Sequence, residues 1–496
     1  MTPGEKALLA GVVIALGVAA SRLAARLSVP ALLLFLTVGM VFGSDVTGWI
    51  DFGDYGLAKT LGSFALALIL FDGGLRAGWP VIRPVFRMSL SLAVVGTLVT
   101  AALTGLVAAP LLGISTLEGL LLGAVLSSTD GAAVFALLRG SKLSRRVERT
   151  LEGESGFNDP IAVLLVLVLI EAITAPDLAA SAIVWKVVAE LGFGAVIGLA
   201  VGRLGMSGLK RLHLESAGLY PVATFALAAI SFGAADSVGG SGFLAIYVTG
   251  LLLGGFAMPA RRTVLSFHDG LAWLAQVSLF LMLGLLVFPG RLGEIALEGA
   301  IITFVLVFLA RPLATLVSLA PFRLPGREVF LIGWAGLRGA VPVVLATFVV
   351  VGGVPDATST FDIVFFAVIF STLIQGATVG PLAKRLGLVH DGATTPVDPP
   401  AAAALERLDA HLLTFTVTDG DAIAGRLVRE LGLPRLALVN LVVRGDSAFP
   451  PRGATRIEVG DELHIIVGDE ADDEMGELFV RWRSGQAAAV EPSNPR

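Results

Sequence analysis

One run of this sequence sets three carboxylates, a hydroxyl and a carboxamide into apolar surroundings: Leu151-Glu152-Gly153-Glu154-Ser155-Gly156-Phe157-Asn158-Asp159-Pro160, leading into the apolar stretch 161–170. An ionisable side chain at membrane depth is costly and marks function by default. Pro160 has no N–H to give, so the carbonyl about one turn earlier is left free. Free carbonyls, the Ser155 hydroxyl and the Asp159 carboxylate are hard oxygen ligands, suited to an alkali cation. Removal from water disfavours the charged form of a carboxylate. Asp159 can then hold either a proton or a cation, and competition for one site is enough to couple opposite fluxes. Asn158 can ligate but cannot titrate, which favours electroneutral 1:1 exchange. The plainer alternative is that these residues only cap a sixth helix starting near Asn158.

Three more charges sit where an apolar span is expected. Asp130 lies in Ser127-Ser128-Thr129-Asp130-Gly131, and Arg338 in Gly336-Leu337-Arg338-Gly339-Ala340-Val341-Pro342. Asp130 is expected to face Asp159 across a broken helix, tuning the field or ligating through water. A buried guanidinium needs a carboxylate, and Glu154 with Arg338 is the expected pair. Arg311, in the eleventh span, competes for that role.

These residues need helices to hold them in lipid. The chain has 496 residues, 55% hydrophobic and 15% charged, with a mean hydropathy of +0.85. Soluble domains carry about 25% charged residues. Apolar runs recur from Ala7 to Leu386, each long enough to cross a hydrocarbon core, and about thirteen spans are expected, the first a retained helix rather than a signal peptide. Nineteen Lys and Arg residues fall in one set of alternate loops, with little beyond Arg291 and Lys6 in the other. By the positive-inside rule the N-terminus is outside and the C-terminal domain cytoplasmic. The breaks at Ser127–Gly131 and Gly336–Pro342 fall in the fifth helix of each half when spans one to six and eight to thirteen form two halves. Interrupted helices in matching positions point to a transporter's binding site.

The expected fold is therefore an all-α polytopic membrane protein of about thirteen transmembrane helices. They form two inverted repeats with broken crossing helices 5 and 12, followed by a small cytoplasmic α/β domain. Its parts are a transmembrane domain at 1–388, a linker at 389–407, a regulatory domain at 408–482 and a disordered tail at 483–496. Within the regulatory domain, strands are expected at 412–417, 437–443 and 463–467, and a helix at 421–431.

Other classes fit less well. No cysteine is present, which excludes disulfides and Cys-ligated zinc. No basic patch with interleaved aromatics implies nucleic acid, and no cofactor is called for. Gly153-Glu154-Ser155-Gly156 matches the G-x-S-G of intramembrane serine proteases. Such a serine needs a base, and the five histidines, His213, His268, His390, His411 and His464, all fall outside the expected span interiors. An enzyme is not expected. A channel or a non-exchanging sensor is the runner-up, but one asymmetric cluster on broken helices favours alternating access over a pore's repeated rings.

Taken together, Ser128-Thr129-Asp130, Glu154-Ser155-Gly156-Phe157-Asn158-Asp159-Pro160, Trp334-Ala335-Gly336-Leu337-Arg338-Gly339-Ala340-Val341 and Phe71-Asp72-Gly73-Gly74-Leu75 resemble the cation:proton antiporters, in their NhaP-like, sodium/proton-exchanger branch. The resemblance covers residues 7–386. It implies Asp159 as the transported-ion carboxylate, with Thr129, Ser155 and Asp130 around the ion, and it implies that Asn158 marks electroneutral exchange. It also implies a Glu154–arginine structural pair and a homodimer whose core domain moves against a dimerisation domain. Residues 408–480 look like a TrkA-C (RCK-C) domain, on Pro450-Pro451-Arg452-Gly453-Ala454-Thr455 and Gly460-Asp461-Glu462-Leu463. That combination implies a potassium/proton, cell-volume-regulation subgroup, in the cell (inner) membrane, with a possible small regulatory ligand on the C-terminal domain. K+ is favoured and Na+ possible.

Overall fold

Inside a bilayer every backbone N–H and C=O must be satisfied by the chain itself, which selects helices for single segments, and the apolar runs fold accordingly. A computed structural model describes residues 2, 4, 11–12, 14–20, 22, 31–131, 133–134, 142–175, 179–211, 214, 216–256, 258–390, 410–445, 447–468 and 471–483. They fall into two units, Met1–Gly392 and Ala393–Arg496.

The first unit opens with helix across 14–20. It continues through α1 (Ala31–Phe42), α2 (Tyr55–Ala77), α3 (Phe86–Leu112), α4 (Thr116–Val125), α5 (Arg145–Thr174) and α6 (Ala180–Arg211). The second half holds α7 (Leu219–Ser237), α8 (Gly242–Gly254), α9 (Arg261–Leu285), α10 (Ala296–Phe322), α11 (Gly326–Trp334), α12 (Ala340–Val351) and α13 (Ala357–Arg385). Among the described residues eight helices are long and apolar enough to cross a membrane, and α1, α4, α8 and α12 are shorter apolar helices. With α11 and α12 taken as one interrupted span, and 14–20 as the first, the order agrees with the expected thirteen.

Both halves carry the same irregularities in the same order. The fourth span contains a π-helical segment, Leu92–Gly96 in α3 and Leu306–Ala310 in α10. The fifth is interrupted, at 126–130 after α4 and at 335–339 between α11 and α12. Local chemistry sets the other ends. Ser115 and Glu118 form a reciprocal capping box at the start of α4. Gly113 closes α3 with φ +66°, a conformation that favours glycine.

Helices α1, α2 and α6 to α9 pack mainly with one another, and α3 to α5 pack with α10 to α13. The first group is drawn together at small residues. A side chain at Gly74 of α2 would lie 2.7 Å from the Tyr247 carbonyl oxygen of α8, so only glycine permits the contact. The two groups meet where α12 lies on α2 and α5 on α8.

Two expectations for this unit need correction. The sixth span does not begin near Asn158; α5 starts at Arg145 and runs unbroken through Pro160. Its polar residues are held inside the helix by partners from neighbouring helices, so they do not act as caps. His268 does not lie outside the spans either: it is buried within α9, its Nε2 2.9 Å from the Thr224 hydroxyl and its ring against Phe71 and Phe267. Those neighbours occupy it, so it is no base for Ser155.

A short antiparallel pair, β1 (Lys142–Leu143) with β2 (Val389–His390), joins the chain ahead of α5 to the chain after α13. Of the expected linker at 389–407, residues 391–407 lie outside the described residues, as does the expected tail from 484 on.

The second unit is an antiparallel sheet in the order β3-β6-β4-β5, from β3 (Ala410–Thr416), β4 (Ala437–Arg444), β5 (Ser447–Phe449) and β6 (Glu462–Gly468). Its helix α14 (Asp472–Arg483) supplies Met475 and Trp482 to a core with Phe415, Leu463 and Ile465. The expected helix at 421–431 is not formed. Gly425 takes φ +81°, and the backbone of Gly425 and Val428 instead donates to Ile457 and Thr455. Only one 3-10 turn, Val428–Glu430, is left there.

Candidate ion-binding site

The two interruptions meet. The Asp130 N–H donates to the Leu337 carbonyl at 2.8 Å, tying the first break to the second. Gly339 has no room for a side chain because the Asp130 carboxyl lies against it. The Asp130 Oδ1 accepts the Ala133 N–H at 3.0 Å, so this carboxyl caps the helical residues that follow the break.

Unwound backbone leaves carbonyls that lipid cannot satisfy. The side chain of Arg338 answers that need: its Nη1 donates to the carbonyls of Ser127 at 3.0 Å and Ser128 at 2.6 Å. This sets a positive charge at the carbonyl end of α4, where the helix dipole favours it. From α13, Thr372 donates to the Arg338 carbonyl at 3.0 Å and Gln375 to the Trp334 carbonyl at 2.8 Å. The second break is thus held from both sides.

Helix α5 lays its polar residues against this frame. Ser155 Oγ donates to the Thr129 carbonyl at 2.8 Å and accepts the Gly131 N–H at 3.0 Å. Asn158 Nδ2 donates to Thr129 Oγ1 at 2.6 Å, and its buried Oδ1 has no hydrogen-bond partner among the described residues. Ser128 Oγ donates to Asp159 Oδ1 at 2.6 Å. Asp159 is 7% exposed, and among the described residues no arginine or lysine pairs with it. Pro160 supplies no N–H to the carbonyl of Gly156. The result is a small oxygen-rich cluster with one carboxylate that no fixed cation neutralises, chemistry that suits a weakly held monovalent cation or a proton.

The expected Glu154–Arg338 pair is not what forms. Arg311 holds Glu154 in a two-point ion pair, Nη1 to Oε1 at 2.5 Å and Nη2 to Oε2 at 2.8 Å. The pair is fully buried, at 2% and 1% side-chain exposure. Arg311 follows directly on the π segment of α10, and its stem passes over Gly336, where any side chain would obstruct it. Arg338 instead directs its Nη1 to the carbonyls of the first break.

The sequence-predicted Thr129, Ser155, Asn158 and Asp159 therefore come together. Asp130 shares their break but turns its carboxyl to Ala133 and Gly339. Sequence reasoning missed Ser128 as the hydroxyl on Asp159. Its place in Ser127-Ser128-Thr129-Asp130 was the available signal. Thr372 and Gln375 had none beyond being polar in an apolar helix.

Comparison with known proteins places the chain among relatives. Residues 12–385 match the family described as sodium/hydrogen exchanger, transmembrane, and residues 412–480 match the TrkA-C domain. The chain is 36% identical over 475 residues to the K(+)/H(+) antiporter NhaP2 of Shewanella oneidensis, covering 95% of this chain and 83% of that one. It is 41% identical over 469 residues to the K(+)/H(+) antiporter NhaP of Alkalimonas amylolytica, covering 92% and 80%. The structure of the sodium proton antiporter MjNhaP1 from Methanocaldococcus jannaschii superposes with a TM-score of 0.66 at 22% identity, over 76% of this chain and 97% of that one.

Proposed function

Because this chain belongs to the sodium/hydrogen exchanger family and carries a TrkA-C domain after its membrane unit, we propose that it exchanges K+ for protons at Asp159. Cation/proton exchange is the activity that its relatives carry in their names. One observation carries the assignment of the site: among the described residues Asp159 is buried with a single hydroxyl donor, while the nearby buried glutamate is already neutralised by Arg311. An unpaired carboxylate in low dielectric must take up a proton or a cation.

Loading by one excludes the other. Ser128, Thr129, Ser155 and the Asn158 Oδ1 complete an oxygen set around a dehydrated alkali ion, and Asp130 adds negative field from the same break. Asn158 holds no proton to exchange, so each cycle moves one cation against one proton and no net charge. Glu154 and Arg311 hold α5 to α10 and take no part in the cargo. Alternating access follows if the group of helices that carries the breaks moves against α1, α2 and α6 to α9, in a homodimer. The preference for K+ over Na+ rests on the named relatives. The loop charges favour an N-terminus outside an inner membrane and the TrkA-C unit in the cytoplasm, where a small ligand would regulate exchange.

The experiment is dissipation of a preset pH gradient in proteoliposomes, comparing K+ with Na+. Wild type should collapse the gradient with K+, and Asp159→Asn should not respond to either ion. A wild type that leaves the gradient intact with both ions would remove the exchange reading and direct attention to conductance.

A further inference from the structure

Helices α10 and α11 pack against each other across a short turn, and a cavity of about 390 Å³ lies between them. Sites that hold small molecules measure about 300–1,000 Å³. Pro312, Leu316 and Arg323 line it from α10 and its end, and Phe330, Gly333 and Trp334 from α11. The two helices close up at one end, where a side chain at Gly333 would lie 3.6 Å from Pro312. At the other end the chain turns through Arg323. Leu316 is 57% and Phe330 51% exposed, so the cavity opens sideways towards lipid. Pro312 and Arg323 stand eleven residues apart, about 16 Å along a helix. That is the depth of one leaflet, half of a hydrocarbon core about 30 Å thick.

Among the residues lining the cavity, Arg323 carries the only charge. It is exposed, and among the described residues no hydrogen bond or ion pair engages its guanidinium. The neighbouring charges turn elsewhere, Glu328 to Arg146 and Arg327 towards Gly387. The Arg323 backbone is irregular as well, with φ +51° and ψ +43°, in the left-handed region that favours glycine. An arginine that merely extends to the membrane interface has no need of that conformation. Arg323 falls in the Lys- and Arg-rich set of loops, cytoplasmic by the positive-inside rule, and anionic lipids concentrate in that leaflet.

We propose that this cavity binds an anionic diacyl phospholipid of the cytoplasmic leaflet, with one acyl chain between α10 and α11 and the headgroup phosphate on Arg323. An acyl chain suits an apolar slot one leaflet deep that closes at Pro312 and Gly333. A phosphate suits an unpartnered guanidinium at its mouth. The chain ends one residue from Arg311 on α10 and one residue from the second break on α11, so it braces the pair of helices that holds both. The site does not depend on the exchange reading.

Trp334 reports occupancy. Lipids brominated in their acyl chains quench a tryptophan they touch, and the Trp334 share is the signal that Trp334→Phe removes. The full chain, in phosphatidylcholine vesicles, is titrated with brominated phosphatidylglycerol or brominated phosphatidylcholine. Wild type should reach half-maximal Trp334 quenching at roughly fivefold less brominated phosphatidylglycerol than phosphatidylcholine, the factor for one arginine at an anionic lipid. Arg323→Gln should erase that difference. Arg323→Gly should erase it too, with an apparent Tm in detergent no lower than wild type, because glycine adopts φ +51° without strain. Equal quenching of Trp334 by both lipids in the wild type overturns the proposal, as does a preference that survives both substitutions. Absence of quenching by either lipid also overturns it, and assigns the cavity to a protein surface such as a second copy of this chain. None of these outcomes bears on the exchange reading, which the pH-gradient assay decides.

Discussion

Arg311 grips Glu154 through two hydrogen bonds of 2.5 and 2.8 Å, on a side of α5 about 140° around the helix from Asp159. The two acidic residues of one motif are thereby given opposite tasks. Glu154 has its charge cancelled and joins α5 to α10. Asp159 meets no such cation among the described residues and takes only the Ser128 hydroxyl there.

Breaking the first of these relationships should damage the fold. A buried charge left without its partner costs about 3–5 kcal/mol, so Glu154→Gln and Arg311→Met should each lower the apparent Tm in detergent markedly. Arg311→Lys should not rescue, because an ammonium cannot make the two-point contact. A wild-type melting temperature for either single variant would remove the structural role.

The second relationship predicts the converse. Asp159→Asn removes a buried charge that no arginine or lysine among the described residues balances, and the carboxamide can still accept from Ser128. Its melting temperature should equal or exceed that of wild type, while exchange is abolished. Thermal unfolding and gradient dissipation on one preparation separate the two effects.

Gly156→Ala should be harmful out of proportion to its size. The added methyl would overlap the Tyr247 ring, and overpacking costs about 1–3 kcal/mol. Gly233, in the interior of α7, has open space where a side chain would go. Gly233→Ala should be neutral or stabilising by up to about 1 kcal/mol, and comparing the two melting curves checks the contact.

The TrkA-C unit should lose stability in acid. Burial pushes the Asp461 carboxyl up, but the hydrogen bond from Arg444, the Glu458 N–H and the Arg444 charge outweigh it and hold the group below its ordinary value. Asp421 is held down in the same way, against burial, by the Thr418 N–H and hydroxyl and by Arg483. A depressed folded value means stability that is fully present above the unfolded value of about 3.9 and is lost as pH falls through the folded one. Urea unfolding of residues 408–483 should show this loss below about pH 4, and Arg444→Gln should flatten it. An unchanged slope in the variant would contradict the pairing.

The site was legible where residue type alone sufficed. A carboxylate, a serine and an asparagine inside an apolar run carry a cost that marks them without any structure. Pairing was not legible. Whether Arg311 or Arg338 reaches Glu154 depends on the rotation of α10 about its axis and on the direction the chain takes through 335–339, and neither shows in the spacing. The start of α5 was misplaced for a related reason. Polar residues ahead of an apolar run read as a helix end when their partners come from distant helices. In the TrkA-C unit, the stretch 421–431 has helical composition, but Gly425 in the left-handed region and bonds to Ile457 and Thr455 draw it elsewhere.

The π segments of α3 and α10 each hold one residue more than a straight helix would. That extra residue turns everything beyond it by about 100° relative to what came before. In α10 it falls directly ahead of Arg311, so it acts as an aiming device. Shortening Leu306–Ala310 by one residue would leave Arg311 chemically intact and point it away from Glu154. Alignments of this region that gain or lose one residue therefore change more than those that exchange one, because they re-aim the guanidinium without touching it.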